Sequence, residues 1–461
     1  MQPQTRAYPD RASTTIKEKP EVREAVTAAT RHFEANRKSA YQQGLEELRP
    51  RAAGIRAHVL THLETYLVQA EVQLSAHGAL VHWANDTAEA QTILAAIVAQ
   101  HQVKLVVKAK SMISEELGIN DFLAGLGVKA LETDLGEFIV QLAQETPSHI
   151  VGPAIHKNLA QIRELFQQHL GTAPEASVEE LAAAARVYLR QGFLNAEMGI
   201  SGANFLVAET GTLAIMENEG NIRLTTSLPK VHVALVGIER LLPRLNDLAL
   251  FLPLTAGAAT GQRIANYVSL IQGPRRPGEP EGPEEVHVIL IDNGRSSVLA
   301  DPEMWEALRC IRCGACLSAC PVYRQTGGHA YGWVYSGPIG AILDPGLLGL
   351  EEAYPLPFAS TLCGACSEAC PVQIPIPKLL LAWRQRAVAA GFTPPWEGAA
   401  MHMYAEVMTH PALYRLGGAG LRLPGITNSH VLPMLKDWNQ ERAGLSPSSK
   451  TFRQIVEEED G

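Results

Sequence analysis

The chain has 461 residues, 46% of them hydrophobic and 19% charged, with a formal net charge of −9. That length exceeds what one hydrophobic core serves and predicts two or three domains of a soluble, well-packed protein. The acidic balance excludes nucleic acid as a partner. The opening residues, MQPQTRAYPDRASTTIKEKPEVREAV, contain no apolar stretch of the kind a signal peptide needs. The most apolar region, 231–259, is broken by Glu239, Arg240, Arg244 and Asp247, so it falls short of the ~18 uninterrupted apolar residues of a transmembrane segment. The expected location is the cytoplasm, with any attachment to the inner membrane made through partners.

Residues 1–75 are rich in Ala, Glu, Gln and Arg, and Val59, Leu60, Leu63 and Leu67 recur at helical spacing. They predict an N-terminal helical segment of two or three helices, read as a scaffold. From 76 to 300 short apolar runs alternate with helical stretches, which predicts an α/β domain built on a largely parallel sheet. The strands fall at 79–83, 103–107, 129–133, 149–153, 204–208, 212–217, 222–225, 231–237 and 286–291. Helices are expected near 86–100, 111–125, 135–144, 156–169 and 177–195. The run PRRPGEPEGPEE (274–285) reads as an exposed loop before the last strand. Residues 301–385 are rich in cysteine, glycine and proline and end in a predicted helix with Lys378 near its start. Residues 386–461 form a C-terminal extension with one or two helices.

Two constellations in the α/β region are candidates for ligand binding. Glycines 199, 202, 211 and 220 fall at strand ends, where backbone N–H groups can cradle an anion or where glycine simply permits a tight turn. Polar residues also gather at strand ends: Lys108, Lys110 and Ser111, Glu132 and Asp134, His149, Glu209 and Thr210, and His232. In open α/β sheets ligands bind outside the carboxyl ends of the strands, so these positions converge on one pocket if the sheet is parallel. His232, flanked by valines, is expected to be a core residue. The glycines do not form GxGxxG after a first strand, so a nicotinamide cofactor has no support.

All seven cysteines fall within 310–371, in two runs. The first, Cys310-Ile-Arg-Cys313-Gly-Ala-Cys316-Leu-Ser-Ala-Cys320-Pro321, is the bacterial C-x2-C-x2-C-x3-C-P spacing of iron–sulfur proteins. The second, Cys363-Gly-Ala-Cys366-Ser-Glu-Ala-Cys370-Pro371, lacks the opening cysteine and has Ser360 in its place. Steps of three residues deliver several thiolates to one cluster from a tight loop, and Gly314 and Gly364 allow the turn. The fourth cysteine of such a run ligates the other cluster. The spacing therefore assigns Cys310, Cys313, Cys316 and Cys370 to a first [4Fe-4S] cluster, and Cys320, Cys363 and Cys366 to a second that is one thiolate short. Ser360, water, a histidine such as His329 or a partner's side chain could complete it, and a three-iron cluster is a further alternative. Zinc and disulfides explain the runs less well, because zinc favours paired CxxC motifs and cytosolic thiols stay reduced. With no flavin or nicotinamide fingerprint in view, the chain reads as an electron relay.

These motifs resemble the iron–sulfur subunit of the bacterial lactate-utilisation system, the LutB-like family. The resemblance rests on GISGANFLVAETGTLAIMENEGNIRLTTSLPKVHVALVGIERLLP, on VKAKSMISEELGIN and ETDLGEFIVQLAQETPSHIVGPAIHK upstream, and on CIRCGACLSACPVYRQTGGHAYGWVYSGPIGAIL and ASTLCGACSEACPVQIPIPKLL downstream. It implies a lactate-utilisation (LUD) domain similar to the sugar-phosphate isomerase and CoA-transferase fold, followed by a helical, ferredoxin-like domain. It also implies two [4Fe-4S] clusters on the seven cysteines. The implied role is electron transfer in a complex that oxidises L-lactate to pyruvate, with a cysteine-rich iron–sulfur subunit and a smaller LUD-domain subunit as partners. Two other readings remain: a subunit that acts directly on a hydroxy acid through the open iron, and a ligand sensor with a redox switch.

Overall fold

The computed structural model describes residues 2–420 and 448–459, in two compact units, Met1–Arg386 and Ala387–Gly461. The first is organised by a six-stranded sheet in which every pair is parallel. In chain order its strands are β1 (Leu80–Ala84), β2 (Leu105–Lys108), β3 (Lys129–Glu132), β4 (Met198–Gly202), β7 (Val231–Gly237) and β10 (Glu285–Ile291). Their spatial order is β1-β10-β7-β4-β2-β3. Every residue of β7 is buried, as expected of a strand covered on both faces. Side-chain alternation divides the strands between two cores. Val231, Val233 and Leu235 face one, with Leu94, Ile97 and Leu123, and Ala234 and Val236 face the other, with Leu67 and Leu74.

A second sheet of four short strands sits within the same unit. Its strands are β5 (Phe205–Val207), β6 (Thr212–Glu217), β8 (Leu241–Leu242) and β9 (Tyr267–Ile271), in the order β8-β5-β6-β9. The α/β class and the parallel sheet are as predicted, but local readings change, and the short strands β8 and β9 and the helix Leu248–Thr260 are additional to those expected. Residues 149–153 are a loop closed by the Ser148 N–H donating to Pro153 O at 2.9 Å. Residues 222–225 lie in a helix, Asn221–Ser227, because the Glu217 carboxylate accepts from the N–H groups of Ile222 and Arg223 and so caps its first turn. The helix expected at 111–125 is broken into Met112–Glu116 and Ile119–Gly125 by Gly118 in the left-handed region. The central strand β4 was missed because MGISG carries little apolar bulk. Gly199 is needed there, since a Cβ on it would sit 1.9 Å from the Thr225 carbonyl.

The N-terminal helices Tyr8–Glu18, Pro20–Ala40, Arg49–Thr61 and Leu63–Ala76 do not form a separate layer. One hydrophobic core runs from Tyr8 through Tyr41, Phe251, Tyr323 and Ile342 to Trp383 and takes in Cys313, Cys320, Cys366 and Cys370. The second unit contains helices Pro395–Thr409, Pro411–Gly420 and Phe452–Glu459. Part of the predicted extension, 421–447, lies outside the described residues. Among the described residues no helix is long and apolar enough to cross a membrane.

Candidate metal centre

The two cysteine loops adopt the same backbone course fifty residues apart in the sequence. Arg312 and Leu362 both hold positive φ, 59° and 56°, and Gly314 and Gly364 follow at 73° and 86°. Each loop then enters a single-turn helix, Ala315–Ala319 or Ala365–Ala369. In the first loop the Arg312 N–H donates to Cys310 Sγ at 3.3 Å. In the second the Leu362 N–H donates to Ser360 Oγ at 3.1 Å. Ser360 therefore stands, atom for atom, where the first loop has its opening thiol.

The thiols fall into two neighbourhoods. Burial raises the pKa of Cys316 well above the ordinary thiol range, and the charges of Cys310, Cys313 and Cys370 raise it further. Cys310, Cys313, Cys316 and Cys370 also line one small cavity. Cys366 is pushed up to about 12 by burial and by Cys320 and Cys363, and burial raises Cys320 with Cys363 beside it. Thiols crowded in this way stay protonated unless a cation pays for their ionisation, and a soft metal centre is the cation that suits sulfur. The donor set therefore fits iron–sulfur chemistry. Backbone N–H groups of Tyr323 and Ile374 already point at Cys320 Sγ and Cys370 Sγ, at 3.5 and 3.4 Å, the kind of bond that tunes a cluster's potential.

Buried side chains from the N-terminal helices hold these loops in place. Arg37 donates to Ala315 O at 3.1 Å, Tyr41 OH to Ala369 O at 3.0 Å, and Arg49 to Cys370 O at 2.9 Å. Arg56 donates to Leu308 O at 2.9 Å and to Leu241 O at 2.7 Å, joining the start of the first cysteine run to the α/β domain. Sequence reasoning missed all four residues. The available signal was arginine at helical spacing within the apolar stripe, a placement that calls for buried acceptors.

The strand-end residues divide. Lys110 and Ser111 beyond β2, Asn204 beyond β4 and Arg240 beyond β7 line a cavity of about 150 Å³, together with Arg295 and Arg312. Arg312 belongs to the first cysteine loop, so the cavity lies between the α/β domain and that loop. Lys108 is instead fully buried against Glu115 and Glu132, at 2.9 and 2.8 Å. His232 is a core residue, as expected, sharing a 2.7 Å hydrogen bond with Ser201. Its pKa is drawn down to about 4 by burial. Glu209 accepts from Leu245 N–H, and Thr210 bonds Thr212. His149 accepts the Val151 and Gly152 N–H groups on Nδ1 and lies against Gly314 of the cysteine loop. Burial holds its pKa near 3, so it is neutral. His329 faces Thr146 O at 2.6 Å. Of the four glycines only Gly202 lines the cavity; Gly211 allows close approach to Leu74.

Behind the cavity wall is a buried ion network. Arg295 bonds both oxygens of Glu116, at 2.9 and 2.8 Å, and Glu239 at 2.6 Å. Arg312 reaches the other oxygen of Glu239 at 3.4 Å, and its guanidinium lies 4.3 Å from the centroid of the Tyr335 ring. Tyr335 OH in turn donates to Glu116 at 2.5 Å.

The family comparisons agree with this division. The LUD domain family matches residues 67–291, the 4Fe-4S dicluster domain 306–374, and the C-terminal domain of lactate utilisation protein B 390–460. Lactate utilization protein B of Bacillus licheniformis is 41% identical over 448 residues, covering 95% of this chain and 94% of that protein. The chain belongs to the lactate utilisation protein B family. The protein of that name from Anoxybacillus flavithermus is 42% identical over 442 residues, or 94% of this chain and 93% of its own length. A relative in Escherichia coli K12, described as the uncharacterized electron transport protein YkgF, is 43% identical over 444 residues, 95% of this chain and 93% of that one. In this member of the family the cavity at the strand ends falls within the LUD match, apart from Arg295, Arg312 and Tyr335, and the cysteine loops fall within the dicluster match.

Proposed function

We propose that the chain is the iron–sulfur electron-transfer subunit of a cytoplasmic complex that oxidises L-lactate to pyruvate and supports growth on lactate. The observation that carries this reading is the crossed sorting of the thiols: Cys370 of the second run sits with Cys310, Cys313 and Cys316, while Cys320 of the first sits with Cys363 and Cys366. That is the arrangement of a two-cluster relay. Two [4Fe-4S] clusters held there would supply one-electron carriers close enough to exchange electrons. The chain's own residues set their surroundings. The N–H groups of Arg312, Tyr323 and Ile374 bond the sulfurs, Arg37 and Arg49 fix the loops, and the apolar core excludes water.

The two sites face different surroundings. Cys313 is buried, beside the cavity residue Arg312, whereas Cys363 is exposed. Electrons entering on the LUD side would leave toward the surface at Cys363, where a partner docks. Partners of the implied kind are a cysteine-rich iron–sulfur subunit, a smaller LUD-domain subunit and a downstream acceptor. Ser360 offers its oxygen at the place of the missing thiolate and would serve as the fourth ligand of the second cluster. Iron and sulfide quantitation on anaerobically purified protein, with EPR of the reduced state, tests the assignment. Two interacting four-iron signals support it, and a single cluster or bound zinc overturns it. Deletion of the gene should also abolish growth on L-lactate as sole carbon source.

A further inference from the structure

We infer that the cavity at the carboxyl ends of β2, β4 and β7 binds a small 2-hydroxy- or 2-oxo-monocarboxylate, with Arg312 of the first cysteine loop as its carboxylate ligand. The inference takes its ligand class from the lactate reading above and adds a site and a set of residues.

Arg312 is the residue that points to a ligand. Its side chain is only 9% exposed, yet Nη1 has no hydrogen-bond partner among the described residues. A buried guanidinium N–H left unpaired is costly unless something accepts it. The neighbouring cations are already engaged. Arg295 is held by Glu116 and Glu239, Lys110 by Asp134 at 3.3 Å and by Val151 O at 3.0 Å, and Arg240 by Cys310 O at 3.3 Å. Arg312 therefore keeps a buried donor unpaired at the wall of a cavity where cations outnumber the single lining carboxylate, Glu239.

The rest of the cavity selects among anions. Asn204 spends Oδ1 on the Met216 N–H, which leaves its amide nitrogen to donate, and Ser111 brings a hydroxyl. Ile215 and Ile222 complete an apolar wall suited to a methyl group. A volume of about 150 Å³ is about five waters' share of the liquid, enough for a three-carbon acid. By itself it is well below the ~300 Å³ at which pockets for drug-sized ligands begin. The adjoining cavity, which shares Lys110, Asn204 and Arg312, carries Asp134, Glu217 and Glu219. These carboxylates disfavour a second negative charge, which sets a monocarboxylate above phosphate. That adjoining cavity also reaches Cys313. Arg312 itself is followed directly by one cysteine, Cys313, and preceded two residues earlier by another, Cys310.

The test is calorimetric titration of sodium L-lactate, pyruvate and inorganic phosphate into the anaerobic, cluster-loaded full chain, with EPR of the reduced protein recorded with and without each. The expected result is one site for lactate or pyruvate, weak or absent binding of phosphate, and a ligand-dependent change in the signal of one cluster. Arg312→Gln should weaken binding at least about tenfold, a loss of ~1.4 kcal/mol. Ala203→Leu, which narrows the cavity without touching a charge or a cysteine loop, should abolish binding with iron content unchanged. Absence of binding to the native chain, tighter binding of phosphate than of lactate, or native affinity in Ala203→Leu would overturn the inference. Redox-active clusters without lactate binding would sink this site and leave the relay standing. Lactate binding to a chain whose clusters cannot be reduced would do the reverse.

Discussion

Glu239 is the point at which the buried network meets the first cysteine loop, and its removal has a calculable cost. Burial by itself would raise its pKa, but Arg295, Arg312 and Arg240 outweigh burial and hold it at about 2, against an ordinary 4.5. At ~1.4 kcal/mol for each pH unit, that depression makes the ionised carboxylate worth about 3 kcal/mol to the folded chain at neutral pH. Breaking a buried ion pair by removing one partner costs a similar ~3–5 kcal/mol. Because the folded pKa is the lower one, the contribution is complete above about pH 5 and is lost as pH falls toward 2. Glu239→Gln removes it at every pH. If the network breaks in the unfolding transition state, cluster loss in urea at pH 7, followed by visible absorbance, should run up to about 100-fold faster than in the native chain. Glu351→Gln is the control, since its pair with Arg6 is exposed on both sides and is worth at most ~1 kcal/mol. A Glu239→Gln chain that keeps its clusters within about threefold of the native rate would refute the claim that this carboxylate fastens the loop.

Three further outcomes follow from the same geometry. Ser360→Cys should retain both clusters and sharpen the EPR of the second, whereas Ser360→Ala should lose iron from that site alone; equal iron content in all three proteins would show that the serine is a bystander. Arg49→Met leaves Cys370 O without its buried donor and should cost about 1.5–3 kcal/mol, the range for a hydrogen bond to a charged group, read as a lower melting temperature of the cluster absorbance. Because Cys313, Cys320 and Tyr8 share one core, a chain cut after Ala300 should yield no iron-loaded 301–461 piece by itself, and an isolated piece with full cluster absorbance would contradict that.

How much of this was legible depended on whether a requirement was local. Thiolate spacing is local, so the cysteine runs and the serine in place of a cysteine at 360 could be read from the chain. The buried strands β7 and β10 were legible because VHVALVG and VHVILI are continuous apolar runs. Strand β4 was not, because its glycine answers to the carbonyl of Thr225, a contact that no periodicity records. The loop-holding arginines were invisible for the same reason: Arg49 and its acceptor Cys370 are 321 residues apart. The strand-end scatter was legible only as a set. Sheet order placed Lys110 and Ser111 in the cavity and removed Lys108, Glu209 and His232 from it, while Arg312, which the spacing argument passes over, lines both that cavity and the one at the cysteines.

Arg312 holds this dual position within one compact unit that contains both the LUD and the dicluster regions. A relay that only passed electrons between partners would need no fixed relation to a small-molecule cavity. Here the relation is fixed from several directions: Arg56 bonds both Leu241 O and Leu308 O, Arg240 bonds Cys310 O, and Tyr335 closes on Glu116. Arg56 bridges the two regions from an N-terminal helix, whereas the Arg240 and Tyr335 bonds join them directly; the Arg56 and Tyr335 bonds are buried, where an unmade bond is costly. A change of charge at the cavity is therefore felt at the first loop through few and stiff contacts. Electrostatic coupling at short range and low dielectric is strong, so if the cavity takes a charged ligand and the first loop a cluster, occupancy of the one and reduction of the other would influence each other to the same extent in both directions.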